Sequence, residues 1–158
     1  MCLRPLRSLL EDEGIYIVLN TRIKRVSGKS GDSVRIVVEQ NGVESTLEGS
    51  HVPVATGRTP NTEGLGLALA GVEMTDRGYI KVNERLQTTA PGVWAIGEVA
   101  GSPQFTHISV DDFRVVHDNL NGVIHSTTGR QVPFCVFTDP ELARIGPTER
   151  EAQGRGIG

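Results

Sequence analysis

The chain has 158 residues, 37% of them hydrophobic, and 19 acidic against 16 Lys or Arg side chains for a formal net charge of -3, a length that suits about one modest core. That mild acidity gives no electrostatic reason to expect a nucleic acid or an anionic membrane as partner, and no apolar run approaches the roughly 20 residues that span a bilayer. The opening Met1-Cys2-Leu3-Arg4-Pro5 does not read as a signal peptide, and Cys2 and Cys135 are too far apart in sequence for a disulfide framework or a metal box, so a reducing cytoplasm is the expected setting.

In chain order, Leu3, Leu6, Leu9 and Leu10 fall on one helical face, with Gly14 where a C-terminal cap belongs. Ile15 to Leu19 reads as a buried strand. Ile23 to Val26 and Val34 to Glu39 alternate as strands around the turn Gly28-Lys29-Ser30-Gly31-Asp32. Asn41-Gly42 is the strongest hairpin signal in the chain and leads into Glu44 to Leu47. Val52 to Ala55 completes the meander. Thr62 to Ala70 reads as a short Leu/Ala helix ended by Gly71-Val72. Tyr79 to Val82 and Leu86 to Thr89 read as strands.

The organising stretch follows. A turn, Ala90-Pro91-Gly92, feeds the short apolar run Val93 to Ile96, which ends at Gly97 with Glu98 directly after it. A short buried strand of this kind delivers a carboxylate to the C-terminal edge of a sheet, where α/β folds place their ligands. Thr106 to about Leu120 is a helix with Ile108, Phe113, Val116 and Leu120 at helical spacing and Asp111, Asp112 and Arg114 on the wet side. After a linker from Gly122 to Arg130 come a strand, Val132 to Phe137, and a helix start at Thr148-Glu149-Arg150-Glu151.

At two places the residues resemble signatures of the pyridine nucleotide-disulfide oxidoreductase family, whose members include dihydrolipoamide dehydrogenase and mercuric reductase. They are "ATGRTPN" from Ala55 and "TTAPGVWAIGEVAGSPQFTH" from Thr88, in the family's order and spacing. The resemblance implies an α/β fold made of α+β pieces. Residues 1–58 would be the C-terminal part of an NAD(P)-binding domain with an antiparallel β-meander. Residues 59–130 would be the C-terminal part of an FAD-binding domain, and residues 131–158 the beginning of an α+β dimerisation domain. The implied cofactors are FAD and NAD(P), and the implied assembly of an intact member is a homodimer.

The resemblance also implies site residues. Glu98 stands where the family usually has an aspartate that accepts a hydrogen bond from a ribityl hydroxyl of FAD, a task for an acceptor-only carboxylate. Gln104, Phe105, Thr106 and His107 open the helix whose N-terminal amides face the flavin pyrimidine edge. Ala55, Gly57 and Arg58 form the crossing between the two dinucleotide domains, where Gly57 allows a close backbone approach. Ile23 matches an apolar position on the adenine side of the nicotinamide cofactor. Against each role stands a plainer one: a solvated strand-end glutamate, a packed histidine, a linking turn and a core isoleucine. Trp94 and Cys135 read as core, and Cys2 as a surface thiol.

Three parts of the family's pattern are absent from these residues. No strand-G-x-G-x-x-G-helix unit is present; Gly64-Leu65-Gly66 fails because Leu69 holds the third glycine position and a turn separates the pair from its strand. The cysteine pair of the redox centre and the C-terminal histidine-glutamate pair are also missing. No catalytic residue is therefore assigned. The sequence is expected to be a piece of an FAD-dependent NAD(P)H oxidoreductase of the disulfide-reductase type, inactive by itself. The alternative is a non-catalytic remnant or interaction module without bound cofactor. The determinants of electron acceptor, and of NADH against NADPH, are expected outside these residues.

Overall fold

A computed structural model describes residues 3–157, with side chains from residue 6 onward; Cys2 lies outside the described residues. The chain divides between Gly57 and Arg58 into two compact units.

The first unit opens with helix α1 (Leu3–Asp12), braced by an ion pair of Arg7 with Glu11 one turn on, at 2.8 Å. Its end is a Schellman cap: Ile15 N–H donates to Leu10 O at 2.9 Å, Gly14 N–H to Glu11 O at 3.0 Å, and Gly14 has φ 85°. Strands β1 (Thr21–Lys29), β2 (Ser33–Gln40) and β3 (Val43–Gly49) form an antiparallel meander in sequence order. Asn41 and Gly42, with φ 52° and 79°, make the two-residue turn between β2 and β3, the doubly left-handed geometry that matches strand twist. Gly28 is obligatory: at φ 99° a β-carbon there would lie 2.0 Å from Ser33 O. Val34 and Val38 are buried, so the β2 face that also carries Ile36 is the dry one.

Two expected strands of this unit do not form ladders. Residues 15–19 and 52–55 are without regular structure, and Tyr16 and Val54 are 85% and 80% exposed. Their apolar runs suit strands flanked on both sides, and no described segment pairs with either.

The second unit is stitched together by single antiparallel bridges, Met74 to Ile80, Val82 to Thr88 and Gln87 to Trp94. These replace the expected strands at 79–82, 86–89 and 93–96. They enclose a core of Val72, Ile80, Ala90 and Ala95, against which Leu67, Val82, Val99 and Ala100 pack. Leu86 adopts φ 64° while buried, and Asn83 Oδ1 accepts from Arg85 N–H and Gln87 N–H at 2.9 and 3.0 Å to hold that bend. Turns at 76–78, 84–85 and 89–92 leave only short extended stretches between them, too short for continuous ladders. The expected helix over 62–70 is cut to a single turn near Gly66, because Gly64 and Gly66 take φ 76° and 66°, outside helical backbone.

A 3-10 turn (Gly97–Ala100) leads to helix α2 (Thr106–Leu120), and the two pack together. Strands β4 (Phe134–Val136) and β5 (Leu142–Arg144) pair antiparallel. Helix α3 (Glu149–Gly154) begins with a complete capping box, in which Thr148 and Glu151 bond each other's backbone amides. The buried face of α2 is Ile108, Asp112 and Val115, whereas Phe113 and Leu120 are 55% and 61% exposed. Hydropathy placed Asp112 in water. It is buried because a backbone amide and an arginine satisfy its charge, and neither partner is visible in helical spacing.

Candidate functional site

The site is built around the junction of the 3-10 turn with α2. Gly97 has φ 69°, and a β-carbon there would meet Ser109 Oγ at 2.7 Å. A side chain there would have to displace the Ser109 hydroxyl and take a left-handed backbone that glycine adopts freely, and the next residue, Glu98, emerges at the edge of the packed core. Its side chain is 29% exposed and its Oε2 lies 3.3 Å from Arg58 Nη1, whose own side chain is 62% exposed. The structure thus brings Arg58 and Glu98 together as an ion pair at the surface of the second unit.

Gln104, Phe105, Thr106 and His107 stand together at the start of α2, all exposed. Phe105 is the N-cap residue and gives no side-chain cap. Its carbonyl accepts from Ile108 and Ser109, while the amides of Thr106 and His107 find no acceptor among the described residues. Two open N–H groups at the positive end of a 15-residue helix favour an anionic or carbonyl-like acceptor. The His107 side chain does structural work: Nε2 donates to Pro133 O at 2.8 Å, and the ring stacks on Phe105 with centroids 5.2 Å apart. Phe105 also stacks on Phe134 at 6.2 Å, and Arg144 lies 4.9 Å over that ring. This column ties the start of α2 to the β4–β5 hairpin. An open apolar groove of about 490 Å³ runs past His107, Phe134, Cys135 and Arg144.

The remaining sequence candidates lie in the first unit. Ile23 sits on β1 opposite Val38, beside the bulge before Arg25, and is 57% exposed. Ala55 and Gly57 are exposed in the segment that closes that unit, and Gly57 has φ 119°, a conformation open to glycine. Among the residues read as core, Trp94 is half-buried with its indole Nε1 sealed from solvent and lacking an acceptor, and Cys135 is a half-buried free thiol. Among the described residues no His, Cys, Asp or Glu cluster has the arrangement of a metal site, and no helix is long and apolar enough to cross a membrane.

Three residues beside the site, Asp112, Arg130 and Ser102, carry no functional mark in the sequence. Asp112 is fully buried and accepts the Gly97 amide at 2.7 Å through Oδ2, while its Oδ1 is bonded to Arg130 Nη1. Arg130 Nη2 in turn reaches Ser102 Oγ at 3.3 Å. The only hint in the sequence is an acidic pair inside a helix and an arginine closing a polar linker, a pattern common on solvated surfaces.

The class of protein follows from comparison with known families. Residues 3–112 match the model of the pyridine nucleotide-disulphide oxidoreductase family, and the chain belongs to that family. Its members are FAD-dependent oxidoreductases that use NAD(P)H. Among curated relatives, the probable pyridine nucleotide-disulfide oxidoreductase RclA of Escherichia coli is 38% identical over 151 residues, covering 94% of this chain and 33% of the relative. The dihydrolipoyl dehydrogenase of Thermus scotoductus is 40% identical over 153 residues, with 96% and 33% covered. The chain therefore spans about a third of the length of the curated relatives it matches. Among solved structures, the Cu(II) complex of the HOCl-induced flavoprotein disulfide reductase RclA from E. coli superposes with a TM-score of 0.81 over 94% of this chain and 34% of that one. LpdA from Mycobacterium tuberculosis gives 0.84 at 27% identity, over 98% and 33%.

Proposed function

We propose that this chain supplies the flavin-facing end of the FAD site, and part of the NAD(P) domain, of an oxidoreductase of the disulfide-reductase type. The observation that carries the reading is the Glu98 carboxylate, held by Arg58 at the end of the Gly97 turn and lying inside the matched residues 3–112. An acceptor-only carboxylate that is half-buried suits a ribityl hydroxyl, and the open amides of Thr106 and His107 suit the carbonyl edge of an isoalloxazine ring. The residues present fit that end of the cofactor. A flavin held by Glu98 and the amides of Thr106 and His107 would supply hydride acceptance from reduced nicotinamide and electron delivery to a disulfide or similar acceptor. This chain's own part is to hold and orient: Glu98 fixes the sugar chain, the start of α2 presents donors to developing negative charge, and Arg58 keeps the carboxylate in place.

On this reading residues 1–58, 59–130 and 131–158 belong to NAD(P)-binding, FAD-binding and dimerisation domains, and the working protein is a cytoplasmic homodimer. Ile23 would face the adenine side of the nicotinamide cofactor, and Ala55, Gly57 and Arg58 would lie beside both the NAD(P) and the FAD. The test is a chimera in which this chain replaces the matching third of a relative such as RclA. Loss of bound flavin on Glu98→Ala, with retention on Glu84→Ala, is the expected result; equal retention in both would overturn the reading.

A second reading, a module that binds another polypeptide and no cofactor, is favoured by one observation. Leu69, Phe137 and Tyr16 are 96%, 87% and 85% exposed, and a partner polypeptide would cover them. Flavin retention by the chimera decides against it.

A further inference from the structure

We infer that Asp112 and Arg130 are a positioning pair that sets Glu98 relative to the start of α2. The inference rests on the cofactor reading above only for what is being positioned; the arrangement itself stands on geometry. Gly97, the residue immediately before Glu98, is gripped by α2 from two sides. The Ser109 hydroxyl lies 2.7 Å from where a β-carbon would sit, and Asp112 Oδ2 accepts a hydrogen bond from the Gly97 amide at 2.7 Å. The same helix carries at its start the open amides of Thr106 and His107. One carboxylate therefore references both halves of the site to a single rigid element.

A fully buried aspartate cannot hold this place alone, since an uncompensated carboxylate away from water is strongly unfavourable. Arg130 supplies the compensation. It is 17% exposed at its side chain, bonds Asp112 Oδ1 through Nη1, and is steadied by Ser102 Oγ and by Asp111 Oδ2 at 3.5 Å. It comes from the connection beyond α2, where Thr127 N–H also donates to Glu84 O at 2.8 Å. With the charge paired, the carboxylate remains an acceptor of a charge-assisted bond, the stronger kind, to a backbone amide. Without the arginine, the buried carboxylate stands uncompensated, and Gly97 loses a firmly held anchor. Asp112 touches no reacting group; it acts through Gly97 on Glu98.

The test reads amide hydrogen exchange in the chain without cofactor. Asp112→Asn should speed exchange of the Gly97 amide about tenfold, as a lost charge-assisted bond to a local structure predicts, while Ile108 and Val115 stay protected. Arg130→Gln should do the same, and Arg130→Lys should restore most of the protection. If the Asn variant does not fold, the Arg130 pair of variants decides alone. Unchanged Gly97 exchange, or acceleration shared equally by Gly97 and the core amides, would overturn the proposal, because the second pattern is general loosening. In the chimera with a relative, Asp112→Asn should weaken flavin retention alone and add nothing in a Glu98→Ala background; an additive loss would also overturn it. If Gly97 responds as expected while Glu98→Ala leaves flavin retention intact, the cofactor reading fails and the positioning of Glu98 stands.

Discussion

Arg58 Nη1 lies 3.3 Å from Glu98 Oε2, so the two family signatures found in the sequence meet in space as one ion pair. The arginine is well exposed, and exposed pairs contribute only about 0–1 kcal/mol to stability. Arg58→Ala should therefore leave the urea midpoint of the chain nearly unchanged. Its effect should appear instead in the chimera, as weaker flavin retention, milder than that of Glu98→Ala. A large stability loss with normal flavin content would show that the pair holds the fold and not the site.

Gly97 meets two separate constraints, a left-handed backbone at φ 69° and Ser109 Oγ at 2.7 Å from where a β-carbon would sit. Gly97→Ala should cost about 1 kcal/mol for the backbone and a further ~1–3 kcal/mol for overpacking. Adding Ser109→Ala removes the clashing Oγ, keeps a good helix former in α2, and should recover the second part and leave the first. Chemical denaturation of the single and double variants measures both; equal stability of the two would mean that packing at Ser109 contributes nothing.

The α3 capping box gives a pH prediction. The Thr148 amide, and then its hydroxyl, bond the Glu151 carboxylate and hold its pKa below the ordinary glutamate value. A depressed folded pKa means that the contribution is present above the unfolded pKa and is lost as pH falls through the folded one. Asp118 behaves alike, lowered first by its bond with His125 and then by that with His117. Carbon-detected NMR titration should find both carboxyls titrating below their reference values. Thr148→Ala removes the hydroxyl bond and keeps the amide, so Glu151 alone should move part of the way back toward its ordinary value, and α3 should fray at neutral pH.

The purified chain of 158 residues is expected to be colourless. A carboxylate contact and two amides contribute about 1–3 kcal/mol each, and immobilising a cofactor costs roughly 4–15 kcal/mol. These residues hold no glycine-rich phosphate loop to make up the difference. A visible absorption spectrum after purification checks this; stoichiometric flavin would show a complete site where half of one is described.

Apolar exposure predicts association. With 22 large apolar side chains exposed among the described residues, Tyr16, Leu69 and Phe137 more than four-fifths bare, the chain should self-associate as concentration rises. Sedimentation velocity across a concentration series measures it, and a monomer at every concentration would count against it.

Local chemistry alone determined the Gly14 cap, the Asn41-Gly42 turn, the meander from β1 to β3, the extent of α2 and the Thr148 helix start. Each is a short-range choice: a left-handed residue after a helix, two positive φ values between strands, or a side chain that bonds an amide three residues on. The signatures around Arg58 and Glu98 were legible for the same reason, as runs of residues whose order carries their meaning. Tertiary structure decided the rest. Residues 15–19 and 52–55 look like strands, but a strand exists only where another segment takes its hydrogen bonds, and among the described residues none does. The face of α2 was misread because hydropathy assigns every aspartate to water. Asp112 turns inward since the Gly97 amide and the Arg130 guanidinium, both distant along the chain, wait there to satisfy it.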